Sequence, residues 1–118
     1  MIEKVVLDYL TETLSVPCYM AVPENNPNPD AQTFVVIEKT GSSKTNHICR
    51  VTFAIQSYAD TLFKAATLNE SVKDAMENII TLDTVTRCEL QGDYPYTRIS
   101  TKQPRYQAVF VITHYDLG

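Results

Sequence analysis

The feature that most constrains the fold is an abrupt change in the spacing of apolar residues near residue 60. Before that point, HICRVTFAIQSY alternates apolar and polar residues, which is the pattern of a strand with one buried face. After it, apolar residues return at the spacing of an amphipathic helix: Leu62, Ala65, Ala66, Val72, Met76, Ile79 and Ile80. Asp60 is the predicted N-cap, because its carboxylate can accept hydrogen bonds from the first free backbone amides. The small pair Ala65 and Ala66 would let this helix lie close to a sheet, which explains how the helix can follow the strand so abruptly.

Two stretches before residue 60 complete the N-terminal half. IEKVVLDYLTETL, residues 2–14, has one apolar face at helical spacing, and Pro17 should end that helix by about Ser15. PCYMAV is a predicted short strand. TFVVIEKT and HICRVTFAIQSY flank the polar segment GSSKTN, so we expect a long antiparallel hairpin over about residues 33–58 with its tip near Ser43.

The C-terminal part adds two strands. RCELQGDYPYTRISTKQPR is predicted to form one edge strand followed by an irregular, exposed segment, because Gly92, Pro95 and Pro104 interrupt it. YQAVFVITHY has apolar residues on both faces, which predicts a central strand covered on both sides or a face buried against another subunit. The predicted fold class is α+β: a single, mostly antiparallel sheet with a long β-hairpin and two amphipathic helices packed on it, in the order α-β-β-β-α-β-β. One domain should span residues 1–118, since one hydrophobic core is usual at this length.

Composition restricts the classes of function. The formal net charge is −4, so the surface as a whole should repel the phosphates of nucleic acids. The apolar runs in the sequence are far shorter than the roughly 20 residues that cross a bilayer. MIEKVVLDYL also carries acidic residues where a signal peptide has a basic start. We therefore expect a protein that is made and used in the cytosol.

The residue types that most often carry catalysis or bind metals are scattered. Three cysteines stand far apart without a Cys-x-x-Cys pair and should be free thiols packed as small hydrophobes: Cys18, Cys49 and Cys88. His47 should be a solvated loop residue beside the hairpin tip, and His114 a surface or interface residue at a strand end. Cys88 and His114 could act as nucleophile and base only if the fold brought them together. Neither a Gly-x-Ser-x-Gly elbow nor a glycine-rich phosphate loop is present, and we expect no catalytic residue, cofactor or metal site.

Acidic residues lie mostly on the polar sides of the two predicted helices. Glu70 and Asp74 would share a helical face and repel each other slightly unless Lys73 or a partner intervenes. A metal site built from acids such as Asp60, Glu70 and Asp74 is the basis of an enzyme alternative, a small metal-dependent nucleic-acid-processing factor. A solvated helix face accounts for the same acids without any ligand.

DYPYTRISTKQPRY mixes aromatic and basic residues that are favoured in binding surfaces: Tyr94, Tyr96, Arg98, Lys102, Arg105 and Tyr106. Tyrosine stacking together with cationic contacts to phosphates could bind nucleic acid. The acidic chain and the shortness of the patch favour a protein interface instead.

Several of these stretches together resemble the small tail-terminator, or tail-completion, proteins of long-tailed bacteriophages and prophages. They are the N-terminal helix, the FVVIEKTGSSKTNHICRVTFAIQSYA hairpin that leads into DTLFKAATLNESVKDAM, and the closing strand RYQAVFVITHY. The resemblance covers most of the chain, and the strand-to-helix passage QSYADTLFKAATL is its most specific part. Residues 23–32 and 92–104 match nothing in that pattern.

The resemblance implies a non-enzymatic α+β virion protein that forms a ring, hexameric in the particle, at the head-proximal end of the tail tube. The ring would end tube polymerisation and would act in head-tail joining. Its partners would be copies of itself, the tail tube protein and a head-completion protein, while DNA would pass through the lumen without specific binding. The isolated chain could be a monomer, and no membrane is involved. The protein would act in the host bacterial cytoplasm during assembly and then in the virion. Another neck component, a head-tail connector or stopper, is the nearest alternative.

A closed ring needs two different surface patches on each subunit that join head to tail. An exposed strand or hairpin tip can add to a neighbour's sheet through backbone hydrogen bonds. The hypothetical subunit interface is therefore Gly41, Ser42, Ser43, Lys44, Thr45 and Asn46. For the contact along the tail axis, the hypothesis is the segment 94–106, with Tyr94, Tyr96, Arg98 and Lys102.

Overall fold

The structure, a computed structural model, describes residues 2–21, 33–95 and 104–115. Its helices and strands are α1 (Ile2–Leu14), β1 (Cys18–Tyr19), β2 (Phe34–Thr45), β3 (Ile48–Tyr58), α2 (Leu62–Glu77), β4 (Val85–Pro95) and β5 (Arg105–Tyr115), with a 3₁₀ turn at Ile79–Thr81. This order confirms the predicted α+β class and the predicted succession of helices and strands.

All five strands lie in one sheet, in the order β1-β2-β3-β5-β4. β1 runs parallel to β2, and the other three neighbouring pairs are antiparallel. β5 pairs along the whole of β3, from Ile48 opposite Tyr115 to Tyr58 opposite Arg105, and β4 lies outside β5. The edge strand predicted from RCELQGDYPYTRISTKQPR is therefore confirmed as β4, whereas residues 96–103 lie outside the described ranges.

The hairpin of β2 and β3 turns at Asn46 and His47, so the predicted tip near Ser43 is wrong. Both turn residues have left-handed backbone angles, with φ of 52° and 67°, as in the two-residue turns whose twist matches the flanking strands. Ser43 lies within β2, opposite Arg50. The polar segment GSSKT stays extended because the first half of β3 supplies its backbone partners.

Helix boundaries follow the predictions with one correction. α1 ends at Leu14 and is followed by Ser15 with φ of 58°, which confirms the predicted stop before Pro17. The N-cap of α2 is Thr61 and not Asp60: Thr61 has extended backbone angles, and its hydroxyl accepts a hydrogen bond from the Lys64 amide at 3.1 Å. Asp60 instead forms an ion pair with the Lys64 ammonium at 3.2 Å.

Both helices pack on the same face of the sheet and enclose the main core with it. Its members come from both helices and the sheet, and include Val6, Leu10, Ile37, Phe53, Ile55, Val72, Met76, Phe110 and Ile112. Full burial of each such side chain contributes about 1.5–3 kcal/mol. Ala65 is fully buried, as expected of a small residue that lets α2 approach the sheet, whereas Ala66 is only half-buried.

The second face of the sheet carries no helix among the described residues. β5 shows the contrast between the faces: Ala108, Phe110 and Ile112 are buried on the helix side, whereas Val109 and Val111 are half-buried on the other. β5 is central, as predicted, since it lies between β3 and β4, but no described element covers its second face, so the predicted cover on both sides is not found in the described residues. The alternative of a face buried against another subunit stays a prediction.

Candidate assembly surfaces

One open edge of the sheet runs along the outer part of β2. β1 covers β2 only at Val35 and Val36, so residues 37–45, which we call the hairpin edge, have a neighbour on one side alone among the described strands. On such an edge every second residue directs its backbone N–H and C=O groups outward. The hairpin edge therefore offers backbone hydrogen bonds to a strand of another molecule.

The residues predicted as the subunit interface lie along this edge and its turn. The exposed members of β2 are Gly41, Ser42, Ser43, Lys44 and Thr45, and Asn46 follows in the turn. A Cβ atom built on Gly41 would meet no atom within 4 Å, so the space beside that residue is open. The predicted interface is thus a strand edge and not the loop that a tip near Ser43 would have made.

A second open edge is β4, on the opposite side of the sheet. β4 pairs with β5 and with no other described strand. Its pairing is irregular between Val85 and Arg87 and between Leu90 and Gly92, and the hairpin edge has a similar shift between Lys39 and Gly41. Bulges of this kind twist an edge and discourage unselective strand pairing. Each edge therefore has one strand neighbour among the described strands, and each is irregular.

The two edges differ in charge. Around the hairpin edge, the cations Lys39, Lys44 and Arg50 outnumber the carboxylates of Glu38 and Glu3, and Glu3 pairs with Lys39 at 3.3 Å. On β4 and the nearby surface of α2 and its C-terminal turn, the acids Glu70, Asp74, Glu77, Asp83, Glu89 and Asp93 outnumber Lys73 and Arg87. Opposite charge on opposite sides of one subunit favours a head-to-tail orientation between copies.

Lys73 forms ion pairs with two of the acids on the β4 side of the molecule. Its Nζ atom lies 2.9 Å from Glu70 and 3.1 Å from Asp93 on β4. The hydrogen bonds to Glu70 and Asp93 raise the pKa of Lys73. This geometry confirms that Lys73 intervenes beside Glu70. Glu77 and Asp83 are exposed and form no ion pair among the described residues.

A hydrogen-bond network crosses the second face of the sheet from β3 to β4. Arg105 donates from Nη1 to the Tyr58 hydroxyl at 2.6 Å, and that hydroxyl donates to Gln56 Oε1 at 3.2 Å. Gln56 Nε2 donates to Gln107 Oε1 at 2.9 Å, and Gln107 Nε2 donates to the Tyr94 hydroxyl at 2.6 Å. Arg105 is only 8% exposed, so it stabilises this face and does not belong to the exposed binding surface predicted around it.

The end of the sheet opposite the hairpin turn carries exposed aromatic and aliphatic side chains. Tyr94, near the end of β4, is 42% exposed, and its axial contact stays a prediction, while Tyr96, Arg98 and Lys102 lie outside the described residues. Sequence reasoning missed Phe63, which is 80% exposed in the first turn of α2 beside Leu62. The sequence could have indicated this exposure, because Phe63 does not fall within the apolar stripe of the helix.

The thiols and histidines do not form the nucleophile and base considered from the sequence. Cys88 lies opposite Ile112, whereas Cys49 lies opposite His114. Burial, with a smaller effect of the Glu89 charge, raises the pKa of Cys88 to about 11, which is the reverse of what a reactive cysteine needs. The three cysteines are free thiols, as predicted, and each is half-buried.

His114 is buried, with 5% of its surface exposed, so its predicted place at the surface is wrong. The alternation Ala108, Phe110, Ile112 continues to residue 114 and could have shown that its side chain faces the helices. Its Nδ1 lies 2.7 Å from the Tyr115 carbonyl oxygen, and its Nε2 has no hydrogen-bond partner among the described residues.

The acids of the enzyme alternative do not converge. Asp60 pairs with Lys64 at the start of α2, and Glu70 pairs with Lys73 in its middle. Within residues 2–21, 33–95 and 104–115, no group of three or more His, Cys, Asp or Glu side chains could hold a metal ion. In the same ranges no helix has the length and apolar character needed to cross a membrane.

Comparisons of this chain with protein-family models and with curated proteins found no match. The resemblance to tail-terminator proteins therefore stays a prediction.

Proposed function

We propose that this chain is a non-enzymatic bacteriophage or prophage structural protein that forms a ring at the head-proximal end of the tail tube. The ring ends tube polymerisation and joins the tail to the head. The protein acts in the host bacterial cytoplasm during assembly and then becomes part of the tail and neck of the virion. Its partners are further copies of itself, the tail tube protein and a head-completion protein, and DNA passes through its lumen without specific binding.

The observation that carries this proposal is the pair of open edges with opposite charge on one small sheet. The hairpin edge has one strand neighbour and a basic surround, and β4 has one strand neighbour and an acidic surround. Two different patches that complement each other create head-to-tail contacts, and such contacts close into a ring when the rotation between copies allows it. Strand addition supplies backbone hydrogen bonds without any special side chain.

The length of the hairpin supports the same conclusion. Residues 38–45 of β2 are all exposed, although they form regular pairs with β3. Exposed strand of this length adds little to the core of a single subunit, and an unpaired strand edge is a liability for a monomer. In a protein that assembles with copies of itself, this strand edge can pair with a strand of the neighbouring copy.

A separate surface suits the contact along the tail axis. Phe63, Leu62 and Tyr94 are exposed near one end of the sheet, opposite the hairpin turn. Aromatic side chains are enriched in the buried centres of protein interfaces. Phe63 and Leu62 belong to α2 and lie outside both open edges, so one copy could contact its ring neighbours and an axial partner at the same time, whereas Tyr94 stands at the end of the β4 edge.

The direct test is the mass in solution by light scattering over a wide concentration range, for the chain alone and with the tail tube protein encoded beside it. The proposal predicts a ring-sized mass in at least the second sample. A chain that stays monomeric in both samples contradicts the ring. Co-purification with a portal or capsid protein and not with the tube protein would instead assign the chain to a connector or stopper.

A second experiment tests the enzyme alternative. Melting temperatures in magnesium and in sodium chloride of matched ionic strength should agree, because the proposal includes no metal site. A rise specific to magnesium would contradict that part of the proposal, since a ligand that binds the folded state stabilises it.

A further inference from the structure

The strands between the two open edges fix the relative direction of those edges. β2 is antiparallel to β3, β3 to β5, and β5 to β4. After three antiparallel steps, β2 and β4 of one copy run in opposite directions. When a second copy stands beside the first in the same orientation, the hairpin edge therefore meets a β4 strand that runs antiparallel to it.

The backbone of the hairpin edge consists of residues that bond to β3 and residues that point away from it. These two kinds of residue alternate in an antiparallel pair. The turn at residues 46 and 47 makes Thr45 and Ile48 a hydrogen-bonded pair, since the first and last residues of such a turn are bonded. By alternation, Ser43 also bonds to β3, whereas Ser42 directs its N–H and C=O groups away from β3.

β4 shows the same alternation in its pairing with β5. The Tyr115 amide donates to the Thr84 carbonyl oxygen at 3.2 Å, so every second residue of β5, counted from Tyr115, bonds towards β4. Ile112 falls between those residues, and its partner is Cys88. The backbone N–H and C=O groups of Cys88 therefore point away from β5. Pro95 falls in the same outward class, as expected of a residue that has no N–H to donate.

The outward residues of both edges carry their side chains on the helix side of the sheet. Ser42 lies opposite Val51 and lines a groove with Ile2 of α1. Cys88 packs against the main core and lines a groove with Phe110. Two residues that exchange hydrogen bonds in an antiparallel pair lie directly opposite each other, with their side chains on one face. Joining the outward residues of the two edges therefore places the helices of both copies on the same side.

Parallel pairing of the same two edges would give a different assembly. One copy would be turned end over end, and its helices would lie on the opposite side of the sheet. Repeating that half-turn produces a ribbon of alternating copies, which does not close. Antiparallel pairing instead relates the copies by a rotation about an axis along the strands, and such a rotation can close into a ring.

We propose that β2 of one copy pairs antiparallel with β4 of a second copy, with Ser42 opposite Cys88, so that one sheet continues around the ring with all helices on one side. The inference rests on the proposed ring. Cross-strand pairs connect Ser42 through Val51 and Ile112 to Cys88, so Ser42 and Cys88 lie at the same height of the sheet. Copies that are related by a rotation about an axis along the strands keep that height.

A disulfide bond between copies tests this pairing. In a Cys18→Ser, Cys49→Ser background, the Ser42→Cys thiol has one possible partner, the native Cys88. Within one copy, three strand spacings of about 4.8 Å separate the two positions, which is too far for a disulfide, whereas the proposed pair brings their Cα atoms to about 5.5 Å. Oxidation during assembly should give dimers and a ladder of higher species on a non-reducing gel. It is continued to completion, because the raised pKa of Cys88 slows the reaction.

Ser43→Cys in the same background is the matched control. By alternation along β2, its side chain lies on the second face of the sheet. It should therefore form no disulfide with Cys88 in the proposed arrangement. In parallel pairing, the second face of one copy would continue into the helix side of the next, and Ser43→Cys would be linked in place of Ser42→Cys.

The outcomes separate the pairing from the ring. A ring of normal mass in which Ser42→Cys forms no disulfide overturns the proposed pairing and leaves the proposed function intact. A disulfide through Ser43→Cys assigns the parallel arrangement and also overturns the pairing. Absence of both ring and disulfide in every sample overturns the pairing and the function together. A disulfide through Ser42→Cys without any ring would retain the pairing between copies and reject the ring.

Proline substitution gives a second readout that does not depend on thiols. Ser42→Pro removes an N–H that points away from β3, so it should raise the concentration at which half of the chain is assembled by roughly tenfold. Ser43→Pro removes an N–H that bonds to β3, and it should lower the melting temperature of the single subunit more than Ser42→Pro does. Equal assembly of the wild type and Ser42→Pro contradicts the pairing. A larger loss of melting temperature for Ser42→Pro contradicts the alternation on which the pairing depends.

Discussion

The two parts of β2 are built differently, although they form one continuous strand. Phe34, Val35, Val36 and Ile37 are all buried, and the remaining residues to Thr45 are all exposed. The first part lies near β1 and under α1, whereas the second has β3 on one side and no described strand on the other. The first part is explained by the folding of one chain. The second part is regular structure without burial, and in the proposed ring a neighbouring copy would cover it.

The largest expected effect comes from removing a buried side chain of the first part. Ile37→Ala should lower the free energy of unfolding by about 2–5 kcal/mol, because it removes apolar contacts and leaves a cavity in the core. Ser43→Ala, in the exposed part, should change it by less than about 0.5 kcal/mol. Urea unfolding measures both. Similar losses for the two variants would contradict the difference between the parts of the strand.

Thiol chemistry gives the next largest effect. With a pKa of about 11 for Cys88, its thiolate fraction at pH 8 should be roughly a hundredfold below that of an ordinary cysteine. Alkylation of Cys88, followed by mass spectrometry in a variant with Ser at positions 18 and 49, should be slow at pH 8. The rate should continue to rise towards pH 11, since the pKa is raised. A rate that levels off near pH 9 would contradict the burial of this thiol.

The two tyrosines of the network offer a comparison on the second face of the sheet. Tyr58 is buried between Phe34, at a ring distance of 4.6 Å, and Arg105, whereas Tyr94 is exposed at the edge. Tyr58→Phe should destabilise the protein by about 1–3 kcal/mol, because the buried guanidinium loses an acceptor. Tyr94→Phe should cost less than about 1 kcal/mol and serves as the matched control. The reverse order would show that the network depends on its exposed end.

The smallest effect separates the two candidate caps of α2. Thr61→Ala removes the hydroxyl that accepts from the Lys64 amide and should cost about 0.5–2 kcal/mol. Asp60→Ala removes an exposed ion pair and should cost at most about 1 kcal/mol. Thermal unfolding of the two variants gives the order. A larger loss for Asp60→Ala would restore the cap predicted from the sequence.

Sequence periodicity predicted the elements because each depends mainly on its own residues. The alternation around Phe53 and the helical spacing after residue 60 led to the correct order of strands and helices. The position of the turn could not be found this way. The Lys39–Phe53 pair already centres the hairpin on residue 46, and the extra residue Thr40 moves that centre only to between residues 46 and 47. The tip near Ser43 was wrong because the polar segment stays extended against β3.

Tertiary contacts decided the remaining differences at the candidate surfaces. Arg105 has the composition of a binding residue, and only its position opposite Tyr58 makes it part of the buried network. The exposure of Phe63 depends on how α2 is rotated on the sheet. The apolar stripe of the helix, which does not include Phe63, indicated this rotation. The burial of His114 could have been predicted from the alternation of residues in β5, which extends through this residue.

The measurement that tests the role of the hairpin edge most directly is assembly of the Gly41→Glu variant with the tail tube protein. A Cβ atom at this position meets no atom within 4 Å and the strand is exposed there, so the folded subunit should keep its melting temperature while the edge gains bulk and a negative charge. We predict that the ring-sized mass seen for the wild type is lost in Gly41→Glu and kept in the charge-change control Glu12→Lys. Assembly of Gly41→Glu at the wild-type concentration would contradict the assignment of this edge to the subunit interface.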